Sequence, residues 1–455
     1  MGFAVGEDAH HLQPYRVGHG AEQIHQLDRV HRRRGVFGHA ASNCLTIIEQ
    51  SPYADRMTTI EQSYRRTTPA LVVLALGLFV VGTNAFVIAG LLPQIASTLG
   101  TTPSAVSVSI TTYSLVVAVA APAVSILLPR VPRSTLMGAG LALFAVGTAV
   151  AALAPDLGWF IAGRTFSGIG GAALVPTATA AAAALSAPEK RGRALALVGA
   201  GFTLATAVGS PLGTALGGVA GWRFALWCVV ALGAVLAVLI PLLVRRVPLA
   251  PPATLRRRLA TLADLRVLAL LATTVFMIAG FNIVYIFSAA VTRPSTGGSG
   301  SLLAVLLLAY GAAGIVGNIV AGPLTDRFGS RAVAAIALIG QVVALAVLPF
   351  VEASFAASLV VFALWGIAAF AIAIPVQHRL VHVDPETSAL ALSWYSTAMY
   401  VGIAIAPPIG SLALGAGGAG AVPVAGAVVT VVALAAFLLS YAARATSRSR
   451  SVPTL

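Results

Sequence analysis

The sequence predicts an all-α membrane protein with twelve transmembrane helices in two six-helix, pseudo-symmetric bundles. Three observations lead to this fold class: the composition, the number of long apolar runs, and a repeat that relates the two halves of the chain. Of the 455 residues, 58% are hydrophobic and only 9% are charged, whereas soluble domains carry about 25% charged residues. The mean hydropathy of +0.92 agrees. The composition therefore indicates a lipid environment.

Twelve runs are long and apolar enough to cross a bilayer, which requires about 20 mainly apolar residues. They lie at 69–94, 104–128, 134–154, 157–185, 191–219, 222–244, 267–290, 301–323, 332–351, 354–376, 388–412 and 421–443. A basic, proline-bearing stretch separates the first six from the last six. We therefore expect bundles at 67–244 and 267–443, a cytoplasmic central loop at 245–266 and a basic tail at 444–455.

Basic residues lie almost entirely on alternate connections between these runs. The connections at 129–134, 186–193, 245–266, 324–331 and 377–387, together with the tail, hold 17 Lys and Arg residues, and the opposite connections hold Arg223 and Arg293. The positive-inside rule then predicts a multi-pass protein with both termini in the cytoplasm. The net charge of +14 reflects this topology, so we expect contact with lipid headgroups and no nucleic acid partner.

Residues 1–66 differ from the rest and hold six of the eight histidines, seven acids and eight arginines. One interpretation is a metal site that includes His10 and His11, but no ligand spacing supports it. A second is a disordered cytoplasmic extension. The third, which we favour, is upstream sequence translated from a misassigned start, with Met57 as the true start. A chain that begins at Met57 should then insert and transport like the full one.

An internal repeat appears when the chain is shifted by 197 residues. The dipeptide PE at 188–189 then falls on PE at 385–386, PLG at 211–213 falls on PIG at 408–410, and Arg130 falls on Arg327. These matches occupy equivalent places in the two six-helix halves, which favours duplication. Repeats of this kind place the substrate site between the halves, near the middle of the membrane.

The segment GPLTDRFGSR (322–331) lies between the eighth and ninth runs and is the most specific motif. Gly322 allows close approach of helix ends, and Gly329 allows a tight reversal. Asp326 can pair with an arginine or a helix N-terminus of a neighbouring helix, while Arg327 and Arg331 reach the headgroups. The segment is either a conformational latch or a simple topogenic turn.

This pattern resembles the signature loop of the major facilitator superfamily, and further segments strengthen the resemblance. RTFSGIGGAALVP (164–176) is similar to the fourth-helix motif of that superfamily, and GSPLG (209–213) to the fifth-helix motif of its antiporters. GTNAFVIAGLLPQIA (82–96), with Tyr113, resembles the first-helix signature of the drug:proton antiporter-1 branch. The resemblance implies the major facilitator fold, with helix-packing positions at Gly168, Gly171, Pro176, Gly209, Pro211 and Gly213.

Two departures from that family pattern bear on mechanism. Pro129 and Pro132 stand in the first half where the repeat has Asp326 and Gly329, so the latch is absent there. The first helix of such exporters often carries a carboxylate in the stretch that matches Asn84 and Ala85. Here every acid after residue 66 falls in a connection, which removes the commonest proton carrier from the predicted spans.

Arg164 is the charge inside a predicted span, where a charged residue costs roughly 3 kcal/mol on insertion scales. Small residues at i+4 and i+7 share its helix face and favour an inward orientation. Either Arg164 cross-links helices, or it faces the transport path. With it we expect further polar residues to line a cavity for an amphiphilic, uncharged or weakly charged organic solute. These are Asn84, Tyr113, Asn282, Tyr285, Tyr310, Asn318, Trp394, Tyr395 and Tyr400.

Three functions fit the sequence. The resemblance implies a secondary active exporter of small organic molecules, such as drugs, sugars or metabolites, that works by alternating access and proton exchange in a bacterial-type inner membrane. The missing carboxylate favours an uncoupled or differently coupled transporter of the same fold. A membrane enzyme or sensor is the third, but QHRLVHVDPE (377–386) is interpreted as a basic loop that starts a helix. The only lysine, Lys190, follows a glutamate and not a glycine, so the sequence has no phosphate-binding GxxxxGK loop. We expect a monomer with no catalytic residues, metal or cofactor.

Overall fold

The computed structural model describes residues 52–128, 130–187, 190–244, 247, 255–351 and 353–442. The chain divides into two units, Met1–Arg66 and Thr67–Leu455, and the long apolar helical segments lie in the second. The predictions for residues 1–51, for residues 245, 246 and 248–254 of the central loop and for the basic tail lie outside the described residues.

Eleven helical segments of the described part are long and apolar enough to cross a membrane. The protein is therefore a multi-pass membrane protein. The helices of the first half are α1 (Pro52–Thr98, apolar from Thr68), α2 (Pro103–Leu127), α3 (Arg133–Leu153), α4 (Leu157–Leu185), α5 (Arg191–Ala220) and α6 (Trp222–Leu243). The short helix Leu255–Thr261 precedes the second half, which begins with α7 (Leu265–Ile286).

The longest segment, Gly300–Val351, contains two spans. Its 52 residues would extend about 78 Å as one straight helix, more than twice the thickness of a bilayer core. Gly329 breaks it with φ +80° and ψ 154°, a conformation that favours glycine. We therefore separate α8 (300–328) from α9 (330–351), and the predicted reversal at Gly329 is present. Counted this way, the described part holds the twelve predicted spans.

Three further helices complete the second half: α10 (Phe355–Val383), α11 (Ser388–Gly417) and α12 (Ala421–Ala442). The interpretation of 377–386 as a loop is wrong for most of its length, because α10 continues to Val383. His378 and His382 stack with ring centroids 4.1 Å apart, and this i, i+4 pair supports helical turns where the sequence predicts a loop.

Within each half, glycines let neighbouring helices approach to backbone contact. A Cβ atom on Gly140 of α3 would lie 2.9 Å from the carbonyl oxygen of Gly170 on α4. Gly147 and Gly163 face each other in the same way one to two turns along these helices. Small residues that face each other are the usual solution for tight helix packing in lipid.

The two halves meet at one end of the helices. We call the end with the α2–α3, α4–α5, α8–α9 and α10–α11 connections the basic end, and the opposite one the far end. At the far end Thr111 Oγ1 donates to the carbonyl oxygen of Ala404, 2.9 Å away, which joins α2 to α11. Gly311 of α8 packs on Ala207, within the π-helical segment Ala205–Gly209 of α5. The halves are thus closed together at the far end.

Candidate functional site

A cavity of about 640 Å³ lies between the two halves toward the basic end. Its walls are the second parts of α2 and α4, the start of α5, the end of α10 and the start of α11. The lining residues are Val117, Ala121, Pro122, Val175, Pro176, Thr179, Ala180, Ala183, Leu195, Gln377, Leu392, Ser393, Tyr395, Ser396, Thr397 and Tyr400.

The lining is apolar with hydroxyl groups and without charge. Ser393, Ser396, Thr397 and Tyr400 lie at i, i+3, i+4 and i+7 on α11, a spacing that places them on one face of the helix. They face the apolar wall of α2 and α4, and none of the lining residues is acidic or basic. Such a surface suits an amphiphilic organic molecule without a formal charge, because a few hydrogen-bonding groups orient it and the rest is apolar contact.

Arg164 is 1% exposed and lies inside the first half. Its Nη1 donates to the carbonyl oxygen of Asn84 on α1 at 2.9 Å. Its Cζ lies 4.3 Å from the ring centroid of Tyr113 on α2, a cation–π contact. The guanidinium therefore cross-links α4 to α1 and α2, which is the structural one of its two alternative roles, and it does so away from lipid.

Glycines on α4 make room for the tyrosine that covers this arginine. A Cβ atom on Gly168 would lie 3.0 Å from the carbonyl oxygen of Tyr113, and one on Gly171 would lie 3.1 Å from its hydroxyl oxygen. Asn84 and Tyr113 are fully buried. Within the described residues, both polar atoms of the Asn84 amide, the Tyr113 hydroxyl, and Nε and Nη2 of Arg164 lack a hydrogen-bond partner.

This buried cluster lies beyond the closed end of the cavity and not in its wall. Tyr113 is one helical turn from Val117, which lines the cavity together with Tyr400. Arg164 is eleven residues from Val175, about 16 Å along α4. The expectation that these polar residues share one cavity is therefore too simple: of the predicted set, Tyr395 and Tyr400 line this cavity.

The remaining predicted residues lie elsewhere in the second half. Tyr285 and Tyr310 belong to a buried aromatic group at the far end, in which Tyr310 and Trp365 have ring centroids 4.4 Å apart. The Tyr285 hydroxyl donates to Ser210 Oγ at 2.9 Å and so joins α7 to α5. Asn282 donates to the carbonyl oxygen of Ile278 in its own helix. Asn318 and Trp394 are half-buried and are not among the lining residues.

The predicted latch is only partly formed. Asp326 is exposed, and no arginine of the described part lies within ion-pair distance of it, so the expected pairing is absent in this conformation; its charge acts on His378 instead. Ser330 and His378 share a hydrogen bond of 2.7 Å. Arg331 packs over Tyr441, with 5.5 Å from Cζ to the ring centroid. This segment is held by contacts within the second half and not by contacts between the two halves.

The fifth-helix motif packs α5 on α1. Cβ atoms on Gly209 and Gly213 would overlap Thr83 and Val87 of α1. Pro211 is buried beside them. Pro176 of the fourth-helix motif lines the cavity. The glycines therefore act through helix packing, as the resemblance implies.

Asp264 marks the basic end of α7. Its Oδ1 accepts from the backbone amide of Arg266 at 2.8 Å, and its Oδ2 pairs with the Arg266 side chain at 2.7 Å. Partial burial raises the pKa of this carboxyl, but the hydrogen bonds from Arg266 outweigh burial and hold the pKa below its usual range. The group therefore stays ionised at neutral pH.

Sequence reasoning missed several cavity residues. Thr179, Gln377, Ser393, Ser396 and Thr397 line the cavity but were not predicted to. The helical spacing of hydroxyl residues in SWYSTAMY (393–400) was a detectable signal.

Comparisons with known proteins agree with this architecture. The family model of the Major Facilitator Superfamily matches residues 74–292 and 268–454. An uncharacterized MFS-type transporter of Bacillus subtilis, YbcL, is 32% identical over 75% of this chain and 87% of its own length. A chloramphenicol resistance protein of Streptomyces lividans is 33% identical over 81% of this chain and 95% of its own length.

Solved structures share the fold at low sequence identity. A bacterial homolog of the human lysosomal transporter Spinster, in an inward-facing and occupied conformation, has a TM-score of 0.67 and 16% identity, covering 82% of this chain and 96% of that one. The nucleoside transporter NupG has a TM-score of 0.66 and 12% identity, covering 83% and 100%. With twelve spans in two halves, a cavity between them and matches along nearly the whole described length, the chain belongs to the major facilitator superfamily of membrane transporters.

Proposed function

We propose that this transporter exports small, amphiphilic, uncharged or weakly charged organic molecules from the cytoplasm by alternating access. The observation that supports this most is the cavity between the halves, whose lining combines hydroxyl and apolar groups without a charged side chain. The chloramphenicol resistance protein among the relatives supports an export role.

The direction of access follows from charge. The basic residues of the connections lie at the end of the helices where the cavity lies. Under the positive-inside rule this end is cytoplasmic, as are both termini. With the halves closed together at the far end, the conformation is one that receives substrate from the cytoplasm.

Proton coupling is the proposed energy source, and the uncoupled alternative has a specific observation in its favour. Arg164 cannot release its proton at working pH. Beyond residue 66, the acids of the described part stand at helix ends, and Asp264 is held ionised by Arg266. Coupling would then have to use protonation of the substrate, a path of tyrosines and water, or Asp326. An uncoupled transporter needs none of these.

Purified protein in proteoliposomes tests the function. With a panel of antibiotics, sugars and nucleosides, we expect transport of at least one amphiphilic compound. Ser396→Trp fills the cavity and should reduce that transport at least tenfold. Leu412→Trp is the matched control, since Leu412 lies on the same helix but is 75% exposed outside the cavity. Equal transport by both variants would exclude this cavity as the substrate site.

An imposed pH gradient tests coupling. If protons drive export, wild-type protein accumulates substrate against a gradient. If wild type does not respond and Asn84→Asp does, the chain is an uncoupled member of the fold. Asn318→Asp, on the half-buried face of α8, controls for the added charge.

A further inference from the structure

We propose that Arg164, Asn84 and Tyr113 form a buried binding site for a small monovalent anion. This site is separate from the substrate cavity, and the proposal does not depend on what the protein transports. The anionic group is either a free halide or the carboxylate of an organic molecule, since both offer a single charge and only acceptor atoms.

The first step is the uncompensated charge. Arg164 is 1% exposed and keeps its charge at working pH. Buried charges are normally paired. Beyond residue 66, the acids of the described part lie at helix ends, and no ion pair among the described residues includes Arg164. The single hydrogen bond to the carbonyl oxygen of Asn84 supplies a dipole but no negative charge.

The second step is the set of donors around that charge. Within the described residues, Nε and Nη2 of Arg164, the amide of Asn84 and the hydroxyl of Tyr113 have no hydrogen-bond partner. The guanidinium touches both other residues, at 2.9 Å to the Asn84 carbonyl oxygen and 4.3 Å to the Tyr113 ring centroid. Unpartnered N–H groups on a fixed cation suit an anion and repel a metal ion, and the Asn84 amide and the Tyr113 hydroxyl add donors on the two residues that the guanidinium contacts.

The third step is that an anion can approach Arg164 from the cavity between the halves. Tyr113 lies one turn from Val117 on α2, and Val117 and Tyr400 line the cavity. Tyr113, whose ring lies on the guanidinium, therefore lies between Arg164 and the cavity end of α2. Gly168 and Gly171 of α4 carry no side chain and so leave room for the Tyr113 ring.

The fourth step is the residue at position 84. An aspartate there would provide a fixed counter-charge beside Arg164, whereas asparagine leaves the charge to be met by a mobile ion. In the Asn84→Asp variant the carboxylate of the new aspartate should therefore take the place of the bound anion, and the variant should be stable without any added anion.

The experiment measures thermal unfolding of the purified full-length protein in detergent. The probes are sodium chloride, sodium bromide and sodium acetate, each against sodium isethionate, a bulky sulfonate without a carboxylate group, at equal ionic strength. We expect a saturable rise in Tm of at least about 2 °C for wild type and for the control Asn318→Asp. Asn84→Asp should show no anion response and a Tm in isethionate at or above that of wild type.

The three salts distinguish the two candidate ligands, a free halide and a carboxylate group. A response to halides alone identifies a free halide, and an equal or larger response to acetate identifies a carboxylate group. If none of the salts shifts the Tm of wild type, or if Asn84→Asp keeps the wild-type response, the assignment of an anion site to these residues is wrong.

Discussion

Gly311→Ala is expected to separate the halves at the far end without unfolding either half. Gly311 lies on α8, where its Cα faces the backbone of Ala207 on α5. A Cβ atom added to Gly311 would lie 2.8 Å from the carbonyl oxygen and 2.9 Å from the carbonyl carbon of Ala207. Since ordinary contacts begin at about 3.4 Å, and the obstacle is backbone, the two helices must move apart.

The size of the effect follows from the overlap. Overpacking by one methyl group costs about 1–3 kcal/mol. When the two conformations of a transporter differ by a few kcal/mol, this cost shifts their ratio by a factor of about 5–150, at about 1.4 kcal/mol for each tenfold change. The population of the conformation with the far end closed should fall by this factor relative to the other conformation. Transport should slow, because the transport cycle must pass through the closed conformation.

Disulfide formation across the far end measures that population. Ser107 of α2 and Ser411 of α11 have hydroxyl oxygens 3.4 Å apart, so cysteines at both positions lie near bonding distance only when the far end is closed. The parent for this assay carries serine in place of Cys44 and Cys228. We expect cross-linking at least about fivefold slower with Gly311→Ala than in the parent.

Gly366→Ala is the matched control. Its Cβ atom would overlap the backbone of Tyr310 just as tightly, 2.8 Å from the carbonyl carbon, but both residues belong to the second half. This variant should lower the Tm and leave the cross-linking rate of the folded fraction unchanged. Unchanged cross-linking in Gly311→Ala, or equal loss of Tm in both variants, would refute the argument that Gly311 lies in a contact that opens during transport.

Three further variants test other contacts. Tyr285→Phe removes the hydrogen bond to Ser210, worth about 1 kcal/mol, and should slow the same cross-link about fivefold; an unchanged rate would show that this bond adds nothing to closure. Asp326→Asn should insert normally but lose most transport, as measured by surface labelling and uptake, and wild-type rates would limit the segment to topology. Arg164→Lys should reduce transport at least tenfold, because an ammonium group lacks the planar fork that reaches the Asn84 carbonyl oxygen while it lies on Tyr113; near-normal uptake would show that charge alone suffices.

The spans were predictable because bilayer thickness constrains the sequence directly. The predicted runs 157–185 and 421–443 match α4 and α12 to within a residue, since connections that carry charged residues, proline or glycine bound them. The end of α10 was not predictable in this way. Its last turns carry Gln377, His378 and Arg379, whose polarity marks a membrane surface but does not end a helix.

The site was harder to predict because hydropathy does not report depth along the membrane normal. Asn84, Tyr113 and Arg164 were identified as buried polar residues, and they do lie together. Their separation from the cavity depends on how α2 and α4 cross, which the sequence pattern leaves open. The serines of α11 were overlooked because single hydroxyl groups are common in spanning helices, where they bond to their own backbone.

The contacts between the halves are concentrated toward the far end, whereas those within a half run along the helices. Inside a half, glycines such as Gly140 and Gly147 bring backbones into contact along several turns. Between the halves, Gly311 packs on Ala207, Thr111 donates to the carbonyl oxygen of Ala404, and the rings of Phe86 and Tyr285 have centroids 5.8 Å apart. Two conformations that differ by a few kcal/mol can be interconverted by the binding of one organic molecule. We therefore expect each half to move as a rigid body while substrate binding decides which end is closed.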